Sequence, residues 1–252
     1  MFDTWEEQEV GRDAGPVATV SKPVIFEPLP GALAEMTPGA RLGSLLASID
    51  RDRLNGEDRV IVLQAWNRQV AHAQAELYAS MVSVADAEAE AHPEDDPFDL
   101  NDVTASEIRA ALTLTRRSAD YHHGFAQQLV EHYPELWTAL HQGRIDMPKT
   151  RVIVSQTCHL DKETAHEVTR VVLEQAHRQT TGQLRARLHK LVIEVDPDSA
   201  KARYEEGLAQ RRLTSEATES GTANLFGLDL PAADSNSAMR RINRLALAMR
   251  KA

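Results

Sequence analysis

Apolar residues recur along most of the chain at intervals of three and four, the spacing that lines one side of an α-helix. Leu42, Leu45, Leu46 and Ile49 follow Thr37-Pro38, a capping residue with proline at the first helical position, and predict a short amphipathic helix. Asn55-Gly56 interrupts the pattern. Asn55, with Asp58 three residues on, predicts the cap of a second helix, because its side chain accepts bonds from N–H groups that lack a partner in the first turn. No proline intervenes from Gly56 to Ala91, so this helix is expected to run roughly 54 Å at 1.5 Å per residue. Leu63, Val70, Leu77 and Val84 recur within it every seven residues, and Trp66, Ala73, Ser80 and Ala87 form a second seam. That pattern predicts the central strut of a helical bundle, with self-association through 56–91 as the other use of the same seam.

Beyond it the helices shorten. His92 to Asp102 is acidic and contains Pro93 and Pro97, which predicts a linker. Thr104-Ala-Ser-Glu107 has the form of a capping box and opens a helix to Leu112; Thr115 caps the next, to about His132. Helices are then expected from Pro134 to Gly143, Met147 to Thr157, Asp161 to Arg178, Thr181 to Val195 and Pro197 to Gln210, joined by short connections that favour one bundle. Arg212 to Ala217 and Thr222 to Asp229, separated by Glu219-Ser220-Gly221, predict a β-hairpin. A last helix from Pro231 carries Met239, Ile242, Leu245 and Met249 at core spacing. The fold class is therefore mainly α: a multi-helix bundle with one long helix, a helix-turn-helix-like unit at 104–132 and a small C-terminal β-hairpin. Its expected organisation is a flexible acidic leader over 1–35, where four of the 11 prolines fall, with one short anchored stretch near Val24 to Phe26. A helical domain over 36–212 follows, then hairpin and terminal helix over 213–252.

Charge changes the picture in one respect. The net charge is −10, yet residues 1–104 hold 20 acidic and 7 basic side chains while the remainder holds 18 and 21. Acidity excludes indiscriminate binding of polyanions but leaves room for a local nucleic-acid face in the mildly basic half. One cysteine, Cys158, excludes an internal disulfide framework and is expected to be a lone buried thiol. The first residues, Met1-Phe2-Asp3-Thr4-Trp5-Glu6-Glu7, are acidic where a signal peptide is basic and apolar, and no apolar run reaches the ~20 residues of a membrane span. A cytoplasmic protein without membrane contact is expected.

The segment richest in chemistry is Glu107 to Ala119. Ile108, Leu112, Leu114 and Ala119 fall where a helix-turn-helix places its apolar contacts, which puts Arg116 and Arg117 at the N-terminal end of the second helix, the part that meets DNA. Asp120, Tyr121, Gly124, Gln127 and Gln128 would share its exposed side. Two residues depart from that pattern: Arg109 stands where a small residue lets the helices cross, and Thr113 where the turn wants glycine for its positive φ. A second basic cluster, Arg178 ahead of the helix with Arg185, Arg187 and Lys190 on it, offers further phosphate contacts; a solvated face reads equally well, since acidic residues follow closely. The candidate DNA-binding residues are Arg116, Arg117, Gln127, Arg185, Arg187 and Lys190.

Histidine spacing does not predict a metal centre. Glu163/His166 and Glu174/His177 lie on one expected helix, separated by roughly 16 Å along its axis, and the adjacent His122 and His123 point to different sides. No nucleophile elbow, phosphate-binding glycine loop or Cys-His signature is present. Neither a catalytic residue nor a cofactor is expected.

Several segments then occur in a telling order: Thr104-Ala-Ser-Glu-Ile-Arg-Ala-Ala-Leu112, Leu114-Thr-Arg-Arg-Ser-Ala119, Ala139-Leu-His-Gln-Gly-Arg-Ile-Asp146, Thr180-Thr-Gly-Gln-Leu-Arg-Ala-Arg-Leu188, Asp196-Pro-Asp198 and Gly221-Thr-Ala-Asn-Leu-Phe-Gly-Leu-Asp-Leu-Pro231. In order and spacing they resemble the 13E12-repeat family, whose members carry a helical DUF222-type domain upstream of an HNH nuclease domain. The resemblance covers about 37–252. The chain stops before any HNH motif, so no nuclease residue is carried over. A second similarity, from Ile108 through Gly143-Arg-Ile-Asp-Met147 to Arg151, is to the helix-turn-helix core of chromosome-partitioning proteins. Together these imply a non-catalytic helical module associated with double-stranded DNA; the alternative is a helical interaction or oligomerisation scaffold without nucleic-acid binding.

Overall fold

The computed structural model describes residues 29–94 and 96–249, the side chain of Phe98 excepted. The expected leader up to residue 28, with its anchored stretch at Val24 to Phe26, lies outside the described residues, as do Arg250 and Lys251. The fold is mainly helical, with ten α-helices and one antiparallel hairpin among the described residues. None of these helices is long and apolar enough to cross a membrane. The chain divides into two units between Trp66 and Asn67, inside the long helix α2.

In the first unit α1 is Ala40–Ser48, a single 3-10 turn covers Arg51–Arg53, and α2 begins at Gly56. The start of α1 differs from the Thr37-Pro38 expectation. Gly39 caps it at φ 139°, a conformation L side chains rarely adopt, and this break keeps Pro38 from serving as the first helical residue. Leu33, Leu42, Leu46, Leu54, Val62 and Ala65 form a small core. Leu33 is therefore part of the folded unit and not of a leader. Each fully buried leucine contributes about 1.5–3 kcal/mol. Asn55 caps α2 as its position suggests: the Asp58 N–H donates to Asn55 Oδ1 at 2.8 Å.

The second unit holds the rest of α2, which runs to Ala91, then α3 (Pro97–Leu112), α4 (Arg116–Gln127), a π-helical turn (Gln128–His132) and α5 (Pro134–His141). α6 (Met147–Thr157), α7 (Lys162–Ala176), α8 (Thr181–Val195) and α9 (Pro197–Ala209) follow. β1 (Arg212–Ala217) pairs with β2 (Ala223–Leu228), Arg212 opposite Leu228, and α10 is Ala232–Met249. No residue of β1, β2 or α10 is buried.

Three expectations are corrected here. The acidic linker is shorter, because Pro97 opens α3 instead of breaking it; proline lacks only an N–H that the first helical turn would leave unpaired. Thr104 consequently sits inside α3, buried, and caps nothing. The second correction concerns the face of α2. Its seven-residue seam points outward, with Leu63, Val70 and Leu77 exposed by 68%, 49% and 44%. In the second unit the buried positions are Ala71, Ala75, Tyr78, Met81 and Val82. Ala71 and Ala75 leave room for a close neighbour, and the Trp137 indole N–H of α5 reaches the Ala75 carbonyl at 3.1 Å. Cys158, expected to be buried, is exposed at the end of α6.

The turn after α5 closes by two bonds that satisfy late helical carbonyls, Arg144 N–H to Ala139 and Gly143 N–H to Leu140, both 2.9 Å. Gly143 has φ 68°, and a Cβ there would stand 2.7 Å from Arg68 Cβ on α2. Glycine is required at this point for both reasons.

Candidate nucleic-acid interface

α3 and α4 pack against each other through a three-residue turn. Thr113 occupies the turn at φ 54°, so the positive φ is present although the glycine is not. The Leu114 N–H reaches back to the Arg109 carbonyl at 3.0 Å, ending α3 with a left-handed cap. A β-branched residue there costs about 1–2 kcal/mol. Thr115 then caps α4, accepting from the Ser118 N–H at 3.3 Å.

Three of the four apolar positions behave as the helix-turn-helix pattern expects. Ile108 and Ala119 are buried and Leu114 is packed against the core. Leu112 is not; it is exposed and lines an apolar groove of about 810 Å³ between α2 and α3, with Leu77, Met81 and Val103. Arg109 does not block the crossing, because buried Ala105 supplies the small residue. Arg109 instead borders a polar recess with Asp102, Arg116 and Asp120.

The six candidate residues separate into two groups. Arg116 and Arg117 are exposed on the first turn of α4; the Arg116 guanidinium lies 3.8 Å from Asp102, both well exposed, while Arg117 has no partner among the described residues. Arg185 and Lys190 are exposed on α8, which packs on α6, α7 and α9. The other two are engaged by neighbouring helices. Gln127 donates to Asn101 Oδ1 on α3 at 3.1 Å. Arg187 donates to Gln175 Oε1 at 2.9 Å and to the Val171 carbonyl at 3.4 Å, tying α8 to α7.

The structure bears out the exposed position of Tyr121 and adds Arg151, which the sequence did not nominate. Tyr121, 52% exposed, lies four residues after Arg117 and so shares its face of α4. The Arg151 guanidinium of α6 sits 5.9 Å from the Tyr121 ring centre and 6.0 Å from that of Phe125, a cation–π arrangement. Arg151 also donates to the Tyr78 hydroxyl at 3.3 Å, which in turn bonds His122 Nδ1 at 3.0 Å. The bond to Tyr78 raises the guanidinium pKa, keeping Arg151 charged; burial, then the Arg151 charge, lowers that of His122. The face of α4 thus carries Arg117 and an exposed ring, with a second cation from α6 beside them, groups suited to phosphates and to stacking on bases. The Arg117-x-x-x-Tyr121 spacing was visible in the sequence; the approach of Arg151 was not.

Residues 60–252 match the model of DUF222, a domain of unknown function, and the chain belongs to that family. No curated protein and no solved structure matches it.

Proposed function

We propose that this DUF222 protein is a non-catalytic, DNA-associated helical module of the cytoplasm, of the kind that stands beside HNH nuclease domains, and that α4 is its duplex-contacting helix. The observation that carries the reading is the outward face of α4: Arg116, Arg117 and Tyr121 presented after a left-handed turn, with Arg151 laid over the ring. Asp102 and Asp120 beside it limit non-specific attraction, in keeping with an acidic chain that reads a restricted site. Salt titration of duplex binding tests this. Affinity is expected to fall linearly on a log–log plot, with the slope reduced by about one unit for each phosphate-contacting arginine removed. Arg116→Ala with Arg117→Ala, or Tyr121→Ala, is expected to weaken binding, whereas Arg187→Ala is expected to lower stability and leave the slope alone. Unchanged binding by the Arg116/Arg117 double variant refutes the assignment. Metal-dependent duplex cleavage by the purified chain, abolished by chelation, refutes the non-catalytic part.

One observation favours a second reading. Leu63, Val70 and Leu77 are exposed at seven-residue spacing on α2, and an identical seam on a second copy would be complementary to it. Mass measured across a concentration series separates the two: concentration-dependent dimers lost in Val70→Lys support the scaffold, and a monomer at every concentration removes it.

A further inference from the structure

Away from α4, two histidines and a carboxylate converge where α2 meets the end of α5. His72 and Glu76 are four residues apart on one face of α2, and His141 is the last residue of α5. One donor atom from each lies within 4.8 Å of the other two. The His141 Nε2 is 2.8 Å from Glu76 Oε1, and the two imidazole rings are 4.3 Å apart.

The surroundings hold these groups in place. The Schellman turn through Gly143 uses the Ala139 and Leu140 carbonyls and leaves that of His141 free; His72 Nδ1 lies 2.9 Å from it. A carbonyl only accepts, so Nδ1 donates in this bond, and in the neutral tautomer so fixed the lone pair lies on Nε2 of His72. This is the outer bond by which a metal-ligating histidine is ordinarily oriented. Trp137 stacks on the His141 ring at 4.8 Å, and its indole N–H is fixed on the Ala75 carbonyl, between the two α2 donors. Both histidines are half-buried and Glu76 is exposed, so the cluster has pre-set imidazoles and one side open to solvent.

We propose that His72, Glu76 and His141 form a binding site for a divalent first-row transition metal of the zinc class, clamping α2 to α5. Two imidazole nitrogens and one carboxylate oxygen are a zinc donor set, with water completing the coordination. On binding, the ion takes the place of the proton between His141 and Glu76, and His141 adopts the tautomer protonated at Nδ1. The site is separate from the proposed DNA face and does not depend on it.

Zinc titration of the intact chain against a chromophoric competitor is the test, with melting temperature as a second readout. The expected result is one equivalent bound by the wild type with a raised melting temperature, and affinity at least tenfold weaker in Glu76→Gln and in His72→Ala. Glu76→Gln is isosteric and exposed, which keeps the experiment informative if a histidine variant folds poorly. Failure of the wild type to take up one equivalent overturns the proposal. So does uptake that survives both substitutions, or that disappears in Cys158→Ser.

Discussion

Replacing Gly143 with alanine adds one methyl group at a point where the structure has no room and the backbone has no tolerance. At φ 68° an L residue costs about 1–2 kcal/mol. The new Cβ would lie 2.7 Å from Arg68 Cβ and 3.0 Å from Arg68 Cα, and forcing a carbon into a packed helix contact costs about 1–3 kcal/mol more. Alanine returns about 0.4–1 kcal/mol by restricting the unfolded chain, which leaves a net loss of about 1–4.6 kcal/mol. Gly124→Ala is the matched control. That glycine lies inside α4 with nothing within 4 Å of the added carbon, so the same substitution there is expected to stabilise by about 0.5–1 kcal/mol. Urea unfolding followed by helical circular dichroism measures both. Opposite signs are expected, and a Gly143→Ala unfolding free energy within about 0.5 kcal/mol of wild type would refute the account of this turn.

Burial lowers the pKa of the His123 imidazole below 6.5, outweighing the nearby Glu131 and Asp120, and its Nε2 has no hydrogen-bond partner. Just below pH 6.5 the unfolded chain therefore binds a proton that the native state refuses, so stability is expected to fall on acidification through that window. His122 and His159 act in the same direction. His123→Leu is expected to flatten the difference between urea midpoints at about pH 5.5 and about pH 7.5; an unaltered difference contradicts the assignment. Thr113→Gly relieves the left-handed β-branched residue and is expected to stabilise by about 0.5–1 kcal/mol after the entropy glycine adds to the unfolded state, with a higher urea midpoint as the check. Asp102→Asn removes an exposed ion pair worth about 0–1 kcal/mol and is expected to leave stability unchanged while raising duplex affinity at low salt. Equal affinity would remove Arg116 from the contact.

Local chemistry made much of the fold legible. Helix starts at Gly56, Met147 and Thr181 follow from residues that cap within their own turn: Asn55, Asp146, and the Thr180/Gln183 pair. The family resemblance overlaps these caps at Asp146 and Thr180. What the sequence left undetermined is which side of a helix faces inward. On α2 both Leu63/Val70/Leu77 and Ala71/Ala75/Tyr78 satisfy helical spacing, and hydrophobicity favours the first. The second is buried because alanines let α5 approach, a matter of the neighbour's shape. The same limit applies at the candidate sites. His72 and Glu76 could be paired from their spacing, but His141 joins them only through the α5 turn. Among the six nominated DNA contacts, Gln127 and Arg187 have the right chemistry, yet neighbouring helices offered them partners first.

The C-terminal hairpin and α10 have a dynamic consequence. No residue of β1, β2 or α10 is buried, so opening this segment gives up little of the packing that holds α4 through α8 together. Backbone amides from Arg212 to Met249 would then exchange with solvent through local opening, on a timescale set by hairpin and helix fraying, while those around Leu136, Ile153 and Leu184 exchange only when the core itself comes apart. Two rates of breathing within one polypeptide let a ligand or neighbour still the first without touching the second.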